Sequence, residues 1–200
     1  MGETGAMRNL WPLTTIVTIM VVIEALAAPL VLLWLLLLPE SFALHIAPVA
    51  EQIDAVTLGF TLLTFVVFGI WIYVAGRNLR AAGFEDLAFS PASRIWWFAV
   101  PFANLVMPYH GMRELWNASH GNSDYTENQG LVGTWWALWL GGNLAITLSG
   151  FMAGQGGGIA PLWIAAAIGL AQAAVAILLI RGIAAAQANL DADSLEEVFA

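Results

Sequence analysis

Lysine and cysteine are both absent from this 200-residue chain, and charged residues of either sign make up only 10% of it. Without cysteine there are no disulfides, thiolate metal sites or cysteine nucleophiles, although the compartment stays open. Fixed positive charge is limited to Arg8, Arg77, Arg80, Arg94, Arg113 and Arg181. Cations this few and this scattered exclude a nucleic-acid footprint. No phosphate loop, GxSxG, CxxCH or paired-carboxylate signature occurs. The net charge of −8 is local, because the acids lie in loops and in the C-terminal tail.

What the chain has instead is apolar sequence. Hydrophobic residues make up 60% of it and the mean hydropathy is +0.79. A soluble domain carries about 25% charged residues and no apolar run of 20. Several such runs occur here, so the chain reads as an all-α integral membrane bundle, one domain by its length. Arg8, the run Thr14–Ile23 and Ala25-Leu26-Ala27 imitate a cleavable signal peptide. The apolar stretch continues through Leu30–Leu38, so an uncleaved membrane helix is expected.

Four segments are long enough to cross a bilayer: Leu13–Leu38, Ala55–Gly76, Leu131–Ala153 and Ile159–Arg181. Each supplies about the 20 apolar residues that span roughly 30 Å at 1.5 Å per residue. Pro29 is a candidate kink in the first. The run Gly154-Gln155-Gly156-Gly157-Gly158 makes the last two spans an antiparallel hairpin.

Residues 93–117 are a fifth, ambiguous segment, interrupted by Pro101, Asn104 and Pro108. It reads either as a short fifth span or as a Pro/Asn-broken re-entrant hairpin turning at Pro101-Phe102-Ala103-Asn104. The arginines arbitrate. Four spans plus a hairpin put all six on one side, which makes that side and both termini cytoplasmic, in an inner membrane. Five spans put Arg113 and Arg181 outside. The re-entrant reading is preferred. The tryptophans, Trp71, Trp135 and Trp136 among them, lie near segment ends, as interface anchors do. In the tail, Ser194 with Glu197 forms a capping box, which predicts a short amphipathic helix over 193–199.

Glu24 falls near the middle of the first span, where a carboxylate costs on the order of 3 kcal/mol and must face the bundle interior. It is either a relay group or a neutral acid bonded to another helix. Polar and small residues form stripes on other spans: Thr57, Thr61 and Thr64; Asn143, Thr147, Gly150 and Gly154; Ala165, Gly169, Gln172 and Ala176. Glu24, Thr64, Asn143 and Gln172 are therefore expected to meet at the midplane, either as a site or as interhelical glue. His110 with Glu114, and His120 with Asp124, are four apart, a weak metal signal outweighed by surface pairing or capping. Arg77, Asn78 and Arg80 are topogenic, or one arginine pairs with Glu114. Asn117-Ala118-Ser119 matches a glycosylation sequon on the side read as cytoplasmic, and is discounted.

A block of motifs runs from Trp71 to Ser119: Arg77-Asn78-Leu79-Arg80 with Gly83; Phe89-Ser90-Pro91; Trp96-Trp97-Phe98 with Pro101; Ala103-Asn104-Leu105; Pro108-Tyr109; and Met112-Arg113-Glu114-Leu115-Trp116. This block resembles a bacterial membrane family known as domain-of-unknown-function family 4328. The family often has arginine where this chain has Val74, a Gly-Trp pair at Ala92-Ser93, and glutamine at His110, which argues against a metal ligand there. The resemblance implies a multi-pass bacterial membrane protein and supplies no activity. It singles out Arg77, Asn78, Asn104, Arg113 and Glu114.

The expected function is a non-enzymatic accessory or assembly protein. It would contact the bilayer and a larger membrane complex, or self-associate through small-residue helix faces. A small channel or transporter using Glu24 and the broken hairpin at Asn104 is the alternative, and an intramembrane enzyme the third reading. No catalytic, cofactor or metal residues are expected, and no nucleic acid; a bound lipid is allowed for.

Overall fold

The computed structural model describes residues 6–156 and 158–199, with Ala153 and residues 191–199 described by backbone alone. Seven α-helices are present among them: α1 Trp11–Leu37, α2 Pro39–His45, α3 Ala50–Ala81, α4 Ser93–Trp96, α5 Met107–Ser119, α6 Gly130–Gly154 and α7 Ala160–Phe199. Short 3-10 turns lie at Ala47–Val49 and Ala103–Leu105. Pro39 and Pro108 each sit in the first turn of a helix. There the missing N–H has no partner to lose, so a proline starts a helix rather than breaking one. Only Pro29 lies inside a helix, and α1 continues through it.

Helices α1, α3, α6 and α7 are long and apolar enough to cross a membrane. The start of α1 touches the end of α3, where Trp71 Nε1 donates to Thr14 Oγ1 at 2.8 Å. Across the other end, Ser149 Oγ of α6 donates to the Pro161 carbonyl of α7 at 2.8 Å. The four helices therefore alternate in direction. α1 lies between α3 and α7, α6 packs on α7, and α5 closes one end of the bundle against α3, α6 and α7.

The core gathers at the end that α5 closes, around Trp71, Leu79, Leu115, Val132, Trp135 and Ile183. Trp71, Trp135 and Trp136 are buried there, so these three pack the interior rather than anchor the interface. Packing is close: a Cβ on Gly182 would stand 2.7 Å from the Trp116 ring. Along the spans the outer faces carry Ile19, Leu30, Leu37, Val56, Leu58, Ile146, Phe151 and Leu178 exposed. A soluble monomer rarely exposes so much contiguous apolar surface, whereas a bilayer requires it.

One reading changes. Helix α7 runs unbroken past Arg181 to Phe199, so no separate helix begins at Ser194. The alanine-rich stretch after Gly182 has high helix propensity and no breaker, which carries the helix onward. The side chains of the Ser194–Glu197 box lie outside the described residues. Of the two readings of residues 93–117, a single helix is not what forms: α4 and α5 are separated by the Ala103–Leu105 turn. Arg94 on α4 touches Glu114 on α5, whereas 20 residues of straight helix would part them by about 30 Å. The chain doubles back at Phe102, which has φ +63 and is 87% exposed, an unusual backbone for a non-glycine residue.

Candidate functional site

The motif block folds into a polar assembly at the α5 end. At its centre is a buried ion pair. Arg94 Nη2 donates to Glu114 Oε1 at 2.6 Å, with the two side chains 2% and 7% exposed. Glu114 also accepts backbone N–H bonds from Ala88 at 2.7 Å and Phe89 at 3.1 Å, which fixes the loop between α3 and α4. Arg94 Nη1 donates to the Gly111 carbonyl at 2.8 Å. Burial pulls the Arg94 guanidinium below its ordinary value and Glu114 opposes that pull. The pair thus ties both arms of the hairpin to the preceding loop. Gly76 on α3 admits it: a Cβ there would stand 3.3 Å from the Pro91 backbone and 3.4 Å from Arg94 Nε.

A second network joins four elements. Asn78 accepts from the Arg8 backbone N–H and donates to the Arg8 carbonyl, both at 2.8 Å, and donates to Gln187 Oε1 at 2.9 Å. Gln187 Nε2 donates to the Ala75 carbonyl and to Ser119 Oγ, both at 3.0 Å. Asn117, fully buried, donates to the carbonyls of Tyr125 and Glu127 and so shapes the loop before α6. Both its donors are engaged inside the fold, so the sequon is not open to glycosylation.

Beside the ion pair lies a cleft of about 200 Å³, lined by Ala88 and Phe89, by Met107, His110, Arg113 and Glu114 of α5, and by Tyr125 and Thr126. Arg113 Nη1 and the Tyr109 hydroxyl both donate to Asn128 Oδ1, at 3.0 and 3.1 Å. Burial and the Arg113 charge hold His110 below its ordinary value.

The residues singled out in the sequence separate into two groups. Asn78, Arg113 and Glu114 are in this assembly, and Arg77 is exposed beside it. Glu114 pairs with Arg94, not with Arg77 or Arg80. His110 and Glu114 share a helix face, but no group of three metal-ligating side chains occurs among the described residues. His120 stacks on Trp116 and bonds its carbonyl, while Asp124 accepts from Thr126, so that second pair is not formed.

Glu24, Thr64, Asn143 and Gln172 share no hydrogen bond with one another among the described residues. Thr64 and Asn143 bond carbonyls of their own helices, and Asn143 is exposed. Gln172 Oε1 packs 3.2 Å from where a Gly142 Cβ would stand. Glu24 is half-buried, its Oε1 shielded and without a partner. Asn104 lies at the hairpin tip, which is tied to α6 by Trp136 Nε1 donating to the Leu105 carbonyl at 2.9 Å; no described bond links it to Glu24.

A family model matches residues 47–188, from the turn before α3 to just past Gln187. The chain belongs to the family described as Domain of unknown function (DUF4328). No curated protein and no solved structure matches it. The DUF4328 match contains the ion pair, the cleft and the Asn78–Gln187 link, while α1 lies outside it. Three of these partners went unread in the sequence: Arg94, Asn117 and Gln187. A signal for Arg94 existed. Arg94 and Glu114 flank the Pro101-Phe102-Ala103-Asn104 turn, so a hairpin folded there returns both to the same end.

Proposed function

We propose that this protein is a non-catalytic accessory factor of a bacterial inner membrane, with both termini cytoplasmic and residues 93–117 re-entering the bilayer as a preset hairpin that docks on a larger membrane complex. The observation carrying this reading is the role of Glu114. Both its oxygens are engaged by Arg94 and by the N–H groups of Ala88 and Phe89, so the block's buried acid builds a shape. Exposed Val100, Phe102, Leu105 and Val106 supply an apolar tip that suits lipid. The arginine-bearing ends of the chain share one end of the bundle, in line with the positive-inside rule. A transport role draws on Glu24 alone, whose Oε1 lacks a partner.

The missing cysteines make the test clean. Single variants Glu85→Cys and Ser123→Cys, which flank the hairpin, should react with an impermeant maleimide from the cytoplasmic side only, and Gln52→Cys from the other. Phe102→Cys should resist labelling from both sides and be quenched by a lipid-borne probe. Free aqueous labelling at 102 would remove the re-entrant assignment. Extraction from native membranes in mild detergent should yield a larger complex; a lone monomer would sink the accessory role.

A further inference from the structure

We propose that the cleft between His110, Arg113 and Thr126 binds the anionic phosphate of a membrane lipid whose acyl chains run down the outer face of the hairpin. Arg113 is the cation available for it. Its guanidinium is held by neutral groups, Asn128 Oδ1 at 3.0 Å and the Tyr109 ring at 5.4 Å to the centroid. The one ion pair among the described residues is Arg94–Glu114. Arg113 lines the cleft, and its Nε, like that of Arg94, is shielded from solvent and has no hydrogen-bond partner. Glu114 also lines the cleft, but Arg94 and two backbone N–H groups engage its oxygens. Asp124 is the acid near enough to feel the Arg113 charge, and its Oδ1 is occupied by the Thr126 N–H and hydroxyl.

The cleft's place beside the hairpin favours a lipid over a free ion. Met107, one of its lining residues, is preceded in the chain by exposed Val106 and Leu105, which lead back to Phe102. From Met107 to Arg113 is six residues of α5, a rise of about 9 Å. A phosphate at Arg113 therefore sits above an apolar track, as a lipid phosphate sits above its chains. Arginine near the cytoplasmic surface favours anionic lipids, and its planar fork matches phosphate oxygens. A cleft of about 200 Å³ holds a headgroup, not a whole lipid.

This inference rests on the hairpin lying in the bilayer, and the two fail separately. The full-length protein is titrated with phosphatidylglycerol against phosphatidylcholine, and separately with inorganic phosphate, and retained lipid is counted by native mass spectrometry. Wild type should retain phosphatidylglycerol preferentially. Arg113→Gln, a partly exposed position, should weaken retention about tenfold, the loss of one charge-assisted contact. Asp124→Asn should strengthen it, and unchanged unfolding temperatures show that both variants fold. Equal retention by wild type and Arg113→Gln overturns the site. Inorganic phosphate competing without any lipid preference overturns the lipid assignment. If Phe102→Cys labels from water while Arg113-dependent retention persists, the hairpin reading fails and the lipid site stands.

Discussion

Polar side chains occur at two levels of this bundle, and they behave differently. At the α5 end their bonds cross the fold: Asn78 reaches Arg8 and Gln187, Gln187 reaches Ala75 and Ser119, and Glu114 reaches Arg94, Ala88 and Phe89. Along the spans Thr64, Asn143 and Thr147 bond the carbonyl four residues earlier in their own helix. Ser149, which reaches both Ala145 and Pro161, bridges two helices at the opposite end, as Trp71 and Thr14 do at the α5 end. The first level determines how elements sit on one another. The second only returns each side chain to its own helix.

The sharpest way to break this contrast is at Glu114. Glu114→Gln keeps the shape but leaves Arg94 buried without its counter-charge. Breaking one partner of such a pair costs about 3–5 kcal/mol. The detergent-solubilised variant should show a large fall in unfolding temperature. In a cycle with Arg94→Met, the double variant should lose less than the sum of the singles, since neither then leaves a lone buried charge. Strict additivity would mean that the two groups act independently, which their 2.6 Å contact argues against.

Gln187 tests the same level without charge. Gln187→Leu leaves one Asn78 amide proton and Ser119 Oγ without their buried partner, and stranding buried polar groups costs about 1–3 kcal/mol. The expected loss is smaller than at Glu114 but should be felt as far as Arg8, because Asn78 holds both. Faster proteolysis before residue 11, measured beside the unfolding temperature, reads that coupling. A stability loss with no change near Arg8 would mean that Asn78 holds the N-terminal segment unaided.

The two levels also differ in how far sequence discloses them. Span number follows from length and hydropathy, because a bilayer demands about 20 apolar residues whatever the partners are. Asn78, Arg113 and Glu114 of the motif block lie together at the α5 end. Their partners are harder to read: Arg77 and Arg80 are candidates as good as Arg94, yet the hairpin that turns at Phe102 delivers Arg94. The Glu24–Thr64–Asn143–Gln172 cluster failed to appear as a bonded set for a different reason. A span is apolar on every side, so periodicity shows that Asn143, Thr147, Gly150 and Gly154 share a face without saying whether that face meets helix or lipid. In the fold all four are exposed.

Asn143→Leu is the smallest of these perturbations and the most direct reading of the second level. The Asn143 amide bonds only the Trp139 carbonyl, at 2.7 Å, and the side chain is exposed. Removing it strands nothing, because that carbonyl is already an acceptor in the helix ladder. A surface change of this kind shifts stability by no more than about 0.5 kcal/mol in either direction. Were Asn143 an interhelical bond at the midplane, its loss would average about 0.6 kcal/mol and reach about 1.7 at most. The unfolding temperature in detergent should therefore match wild type, while Gln187→Leu in the same preparation does not. A loss at position 143 equal to that at 187 would erase the distinction between the two levels and return Asn143 to the interior.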